Sequence, residues 1–129
     1  MSARFRCSAD AEAIKERRND YDVTNTIDVT SPQDVHAAVR ELFEFVYPGA
    51  SVDPLWLAFH DFERMFTGAD PGYHAVDTSY HDIQHTLDMT LALARLIAGY
   101  ERTAEEADRL GVRRAMFGIV AALFHDSGY

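Results

Sequence analysis

Apolar residues recur every three or four positions along most of the chain, and no segment sustains the strict alternation typical of a half-buried strand. Ser31-Pro32 is typical of a helix N-cap followed by proline at the first helical position. The apolar series after it is Val35, Val39, Leu42, Phe43 and Val46. The hydrophobic pattern therefore predicts an all-α protein.

The same spacing predicts three further helices. One begins at Asp53-Pro54 and ends before Gly68, and a second covers residues 80–98. A third begins after Gly111 and is apolar on every face over residues 115–124. Because so few helices can scarcely surround it, we expect a partner subunit or further sequence to cover this last helix.

The first 30 residues differ from the rest of the chain. Ser8 is placed to cap a short charged helix over residues 9–18, and residues 19–30, rich in Asp, Asn and Thr, are typical of an extended, tail-like loop. We therefore divide the chain into an N-terminal helix and loop over residues 1–30 and a helical domain over residues 31–129.

The composition disfavours several classes of function. The 129 residues include 12 basic and 21 acidic side chains, and the net charge of −9 disfavours nucleic acid polymers and anionic membranes as partners. No apolar run approaches the length of a bilayer span, and the N-terminus lacks an apolar signal core. The single cysteine, Cys7, cannot form an internal disulfide. These features predict a cytoplasmic protein.

Histidine and aspartate supply the candidate chemistry. His81, His85 and Asp88 are spaced four and three residues apart, so they share one face of their helix. An HxxxH pair alone is a frequent accident on helix surfaces and does not by itself indicate a metal site. His60-Asp61 lies among other charged residues, which is typical of a solvated helix face.

The His125-Asp126 pair strengthens the case for a metal. The helix after His85 and the helix ending at His125 are each about 20 Å long, at about 1.5 Å per residue. If they run antiparallel, His125 and Asp126 return to the level of His85, and two imidazoles with a carboxylate suit a divalent zinc, iron, manganese or cobalt ion. The alternative is a structural polar pair in which Asp126 caps the helix or accepts a hydrogen bond from His85.

These motifs resemble a known family. The segment Tyr80-His81-Asp82-Ile83-Gln84-His85, followed by His125-Asp126, looks like the HD-domain superfamily of metal-dependent phosphohydrolases, and most like its phosphodiesterase-like YHxxxH branch. The resemblance covers residues 54–129 and implies an HD-type helical bundle. It also implies hydrolysis of a nucleotide-like phosphate mono- or diester by a metal-activated water.

The resemblance assigns roles to individual residues. It implies that His85, His125 and Asp126 bind a divalent ion (Fe, Mn, Zn, Co or Mg), and that His81 is the general acid toward the leaving oxygen. Asp88, on the same helix face, is placed to orient an imidazole as a hydrogen-bond acceptor outside the ligand set. No substrate-binding residue can be assigned.

One element of the family pattern is missing. The fourth ligand of the superfamily, an aspartate on a later helix, has no counterpart before residue 129. We therefore expect a bundle that is incomplete at its C-terminus, little or no turnover from this chain, and a homo-oligomer. The alternative function is a non-catalytic helical module for self-association or partner binding.

Overall fold

The computed structural model describes residues 20–67 and 79–126, and most of these residues are helical. The helices are α1 (Pro32–Val46), α2 (Asp53–Thr67), α3 (Ser79–Thr103) and α4 (Val112–Phe124). The only β-pairing in the described ranges is an isolated antiparallel bridge between Tyr21 and Asp28. The all-α prediction is therefore confirmed. The predicted helix over residues 9–18 lies outside the described residues.

Local signals set the helix bounds where capping residues are present. Ser31 caps α1, since its hydroxyl accepts a hydrogen bond from the backbone N–H of Asp34 at 3.2 Å, and proline follows at the first helical position. The helices α1, α2 and α4 have the predicted bounds to within a residue or two. The helix α3 continues to Thr103, past the predicted end at residue 98, and includes Gly99.

The four helices enclose one hydrophobic core. The helices α1 and α4 each pack against both α2 and α3. Every helix contributes fully buried side chains, among them Val35, Val39, Leu55, Phe62, Leu87, Leu91, Ile119 and Leu123. Phe62 links two of the helices, since its ring lies 6.3 Å from that of Phe124 in an edge-on arrangement. Within the part of the chain that the structure describes, no helix is long and apolar enough to cross a membrane.

The loop before α1 is tied to α3 by a buried ion pair. The carboxylate of Asp22 is fully buried and lies 2.7 Å from the guanidinium of Arg95. It also accepts hydrogen bonds from the backbone N–H groups of Thr24, Thr26 and Ile27. The expectation of a tail-like loop is therefore wrong for residues 20–30: their backbone donors converge on one carboxylate, and that carboxylate is paired with a helix of the core.

A second buried carboxylate forms the turn between α3 and α4. Glu101 is 4% exposed and accepts hydrogen bonds from the backbone N–H groups of Leu110 and Gly111, at 2.7 and 3.1 Å. The hydroxyl of Tyr47, just after α1, donates a third at 2.8 Å. Burial alone would raise the pKa of Glu101, but these hydrogen bonds stabilise its anion, so its pKa lies below the usual value. The charged segment between the two helices contains only a short 3-10 helix, Glu106–Asp108.

The ion pair of Asp22 predicts a specific dependence of stability on pH. Burial alone would raise the pKa of this carboxyl, but hydrogen bonds from Thr24, Ile27 and Arg95 outweigh burial and hold the pKa well below its usual range. The contribution of Asp22 to the free energy of unfolding is therefore present above about pH 4, near the pKa of an unfolded aspartate, and decreases as the pH falls below that value.

We expect Asp22→Asn to lower the free energy of unfolding by about 3 kcal/mol at pH 7, because a neutral amide replaces one partner of a buried ion pair. The difference from the unsubstituted chain should narrow as the pH falls from 4 towards 2, as measured by urea unfolding. The control is Asp61→Asn, on the exposed side of α2. A difference that is the same at all pH values would contradict the assigned role of the Asp22 charge.

Candidate metal centre

His125 and Asp126 lie directly after α4, in the turn that ends the helix. His125 still has helical dihedral angles, with φ −61° and ψ −31°, so its ring folds back along the last turn. Its Nδ1 lies 2.6 Å from the carbonyl oxygen of Ala122, and its Nε2 lies 3.0 Å from Oδ2 of Asp126. The two side chains are 33% and 47% exposed, so the pair is open to solvent on one side.

The facing atoms Nε2 of His125 and Oδ2 of Asp126 can share one cation. A carbonyl oxygen only accepts, so Nδ1 of His125 must carry a proton and donate it to Ala122. In the neutral imidazole Nε2 then has a lone pair, and it faces a carboxylate that also only accepts. A distance of 3.0 Å fits an ordinary hydrogen bond with a proton on Nε2, and a metal ion bound to both atoms is the alternative.

The donor set fits a divalent ion. A histidine that ligates through Nε2 commonly donates its Nδ1–H to a backbone carbonyl, which is the contact to Ala122. If Nε2 of His125 and Oδ2 of Asp126, 3.0 Å apart, each lay about 2.1 Å from an ion, they would subtend about 90° at it. That angle is typical of adjacent ligands in an octahedron, the geometry common for manganese and magnesium.

The end of α4 also attracts a cation electrostatically. The last carbonyl groups of a helix carry a partial negative charge, which a basic residue in the last turn often offsets. The last turn of α4 contains no basic residue, and Asp126 adds a full negative charge beside it.

Contacts between α3 and α4 show where His125 lies relative to α3. The chain turns back at Glu101, which binds Leu110 and Gly111, and further down a Cβ placed on Gly118 would lie 3.7 Å from Ile97 and 4.0 Å from Leu93. The two helices therefore run antiparallel, as expected. Continued residue by residue, this register brings His125 level with residues 87–88, about 3–5 Å along the axis from His85.

The side chains of His85 and Asp88 lie on the exposed side of α3. Those of Leu87 and Leu91, on the same helix, are buried. At 100° per residue, Asp88 is about 180° around α3 from Ile97, which contacts α4. Asp88 can therefore orient His85 but not His125.

The structure brings two of the three predicted ligands together. Among the described residues, no group of three or more His, Cys, Asp or Glu side chains is arranged to hold an ion. The part played by His85 remains a prediction. His81 belongs to α3, but its side chain lies outside the described part of the structure, so its predicted role also stays a prediction.

A second polar group near α1 and α2 was missed by sequence reasoning. Nε2 of His36 is buried without a hydrogen-bond partner, and its ring lies 5.1 Å from that of Phe59. Burial, and then the charge of Arg40, lower the pKa of His36, so the neutral form is favoured. Nearby, His60 stacks on Trp56 with 4.9 Å between ring centroids. The spacing of Trp56 and His60, four residues apart on one helix, is the only local signal of this group.

Similarity to known proteins does not add to this geometry. Comparisons with protein-family models, curated protein sequences and solved structures find no match. The resemblance to HD phosphohydrolases therefore rests on the order and spacing of the histidine motifs, and the case for a metal on the geometry of His125 and Asp126.

The contact with Ala122 predicts the tautomer of His125. We expect the neutral ring to carry its proton on Nδ1, as measured by long-range ¹H–¹⁵N correlation spectra of the metal-free protein at alkaline pH. Addition of a diamagnetic divalent ion such as Zn²⁺ should then shift the Nε2 resonance, with His60 as the reference histidine. A proton on Nε2 would contradict this model and favour the alternative of an ordinary hydrogen-bonded pair with Asp126.

Proposed function

We propose that this protein is a metal-dependent phosphohydrolase of the HD superfamily, in which His125 and Asp126 bind a divalent ion. The observation that supports this proposal most strongly is the 3.0 Å approach of Nε2 of His125 to Oδ2 of Asp126, with Nδ1 of the same ring against the carbonyl oxygen of Ala122. The third ligand is His85, on the neighbouring antiparallel helix, and the substrate is a nucleotide-like phosphate mono- or diester.

The residues of the chain divide the work of hydrolysis. A bound divalent ion supplies Lewis-acid stabilisation of a phosphoryl oxygen and activates water. The contact between Nδ1 of His125 and the carbonyl oxygen of Ala122 orients the ring, so that the lone pair of Nε2 is directed at the ion site. His81, one turn before His85, protonates the leaving oxygen, and Asp88 orients the ring of His85.

The net charge of −9 does not oppose an anionic substrate, because a divalent ion dominates the field at short range. It does disfavour rapid electrostatic capture of that substrate.

A second candidate function is a non-catalytic helical module for self-association. It is favoured by the apolar side chains that α3 and α4 expose, such as Leu96 at 70% and Phe117 at 78%. The two candidates differ in one property, since only the phosphohydrolase needs a metal ion.

The first test is metal binding. We expect the chelator-treated protein to bind one Mn²⁺ or Zn²⁺ ion per chain in isothermal titration. His125→Ala should weaken binding at least about tenfold, because it removes a ligand. The matched control is His60→Ala, which removes an exposed histidine on α2 and should leave the affinity unchanged. Absence of binding, or equal binding by the two variants, would favour the non-catalytic module.

The second test asks whether the bound ion also binds a phosphate group. It does not depend on high turnover. We expect orthovanadate, a phosphate analogue, to bind the protein only when the ion is present, and His125→Ala to abolish this binding. Any turnover of p-nitrophenyl phosphate or bis-p-nitrophenyl phosphate should likewise require the ion. His81→Ala should keep the ion and lower turnover by about 10²-fold or more. An ion that binds without retaining vanadate would contradict the phosphohydrolase.

A further inference from the structure

One side of α4 faces solvent along its whole length. It is formed by Arg114, Phe117, Ala121 and His125, which follow one another at helical intervals and are all exposed. We call these four residues the outer α4 face. Phe117, at its centre, is 78% exposed. The opposite side of the helix carries the buried residues Ala115, Met116, Ile119 and Leu123. The other described helices therefore cover α4 on one side only, and the expected cover by a partner subunit or further sequence stays a prediction.

The apolar surface continues from α4 onto α3. Gly118 lies next to the outer α4 face, and a Cβ placed on it would lie 4.0 Å from Leu93. One turn on either side of Leu93 along α3 are Met89 and Leu96, which are 41% and 70% exposed. A contiguous apolar patch of this kind is uncommon on a monomer and usually marks an interaction surface.

The charges of α4 are placed unfavourably for an isolated helix. Arg113 and Arg114 occupy its first turn, where the helix dipole is positive, and Asp126 follows its last turn, where the dipole is negative. No other Asp, Glu, Lys or Arg lies between them. A second α4 helix running antiparallel would bring arginines to the negative end and Asp126 to the positive end. Each helix thus carries both halves of the complementary charge pattern.

We propose that the outer α4 face forms an antiparallel, two-fold homodimer with the same face of a second copy. In the register that packs Phe117 against Ala121 of the partner subunit, a large side chain lies opposite a small one, and two-fold symmetry makes the contact twice. The same register brings Arg113 beside His125 and Asp126 of the partner subunit. A guanidinium then lies at the negative end of each α4.

A second copy fits this face better than an unrelated partner, because the face supplies its own complement in both charge and side-chain size. The dimer requires neither a metal nor hydrolysis. It does place an arginine from one subunit at the candidate metal centre of the other. If the proposed function holds, that arginine can also hold a phosphate oxygen.

The first experiment measures mass in solution. We expect light scattering after gel filtration to give twice the chain mass for protein at about 100 µM. Reductant is present to prevent disulfides through Cys7. Phe117→Glu should give the chain mass with unchanged helical circular dichroism. The matched control is Leu57→Glu, on α2, where Leu57 is 55% exposed; this variant should remain dimeric. A monomeric unsubstituted chain, or a dimer that Phe117→Glu leaves intact, would overturn the proposal.

The second experiment tests the register. Arg113→Glu and Asp126→Arg should each weaken the dimer by about tenfold in sedimentation experiments, because each places like charges opposite one another. A mixture of the two variants should form a heterodimer. At one end of it the introduced glutamate meets the introduced arginine, and at the other end Arg113 of one variant meets Asp126 of the other. If each variant alone weakens the dimer and the mixture does not recover, the antiparallel register is wrong. Both variants are measured with a chelator present, so that no ion occupies Asp126 and the outcomes are independent of the tests for the phosphohydrolase.

Discussion

The candidate metal centre depends on the buried carboxylate of Glu101. It binds the backbone N–H groups that lead into α4 and the hydroxyl of Tyr47, so one side chain fixes where α4 begins relative to α3 and relative to α1. Further along the helices, Gly118 faces Ile97 and Leu93, which is consistent with the same register. Because a helix has a fixed rise per residue, fixing where α4 begins along α3 also fixes where it ends. The level of His125 beside α3 is therefore set by a contact about 20 Å away, at the other end of the helix.

The fold was predictable wherever the signal was local. Ser31-Pro32 and Asp53-Pro54 begin helices that the structure contains, because capping and proline geometry act within one turn. The segment before α1 was predicted as a loop, which the structure shows for residues 20–30, but its attachment to the core was not predicted. The partner of Asp22 is Arg95, more than 70 residues later, and a run of Asp, Asn and Thr carries no sign of such a partner. The turn in which backbone N–H groups donate to Asp22 is local, but its attachment to Arg95 is a tertiary contact.

The site was predictable to a similar extent. The stop signal after His125 correctly indicated that the HD pair lies at a helix end, where neighbouring residues can face one point. Helical spacing also correctly placed His85 and Asp88 together on the exposed side of α3. Spacing alone does not say which side of α3 meets α4, since packing decides that, and here Ile97 and Leu93 form the contact. For this reason Asp88 and His125 lie on different sides of α3 although they lie at the same level.

The end of α4 concentrates negative charge from three sources: the carbonyl groups of the last turn, the carboxylate of Asp126 and the lone pair of His125. A proton, a metal ion and the guanidinium of a partner subunit are three cations that could balance it. A proton on Nε2 blocks the lone pair. A guanidinium has several N–H donors, so it can hydrogen-bond both to the carboxylate and to the lone pair of Nε2. Each of the three cations can therefore engage both Nε2 and Oδ2, so a metal ion at the proposed centre would compete with a proton and with the partner subunit's arginine for the same two atoms.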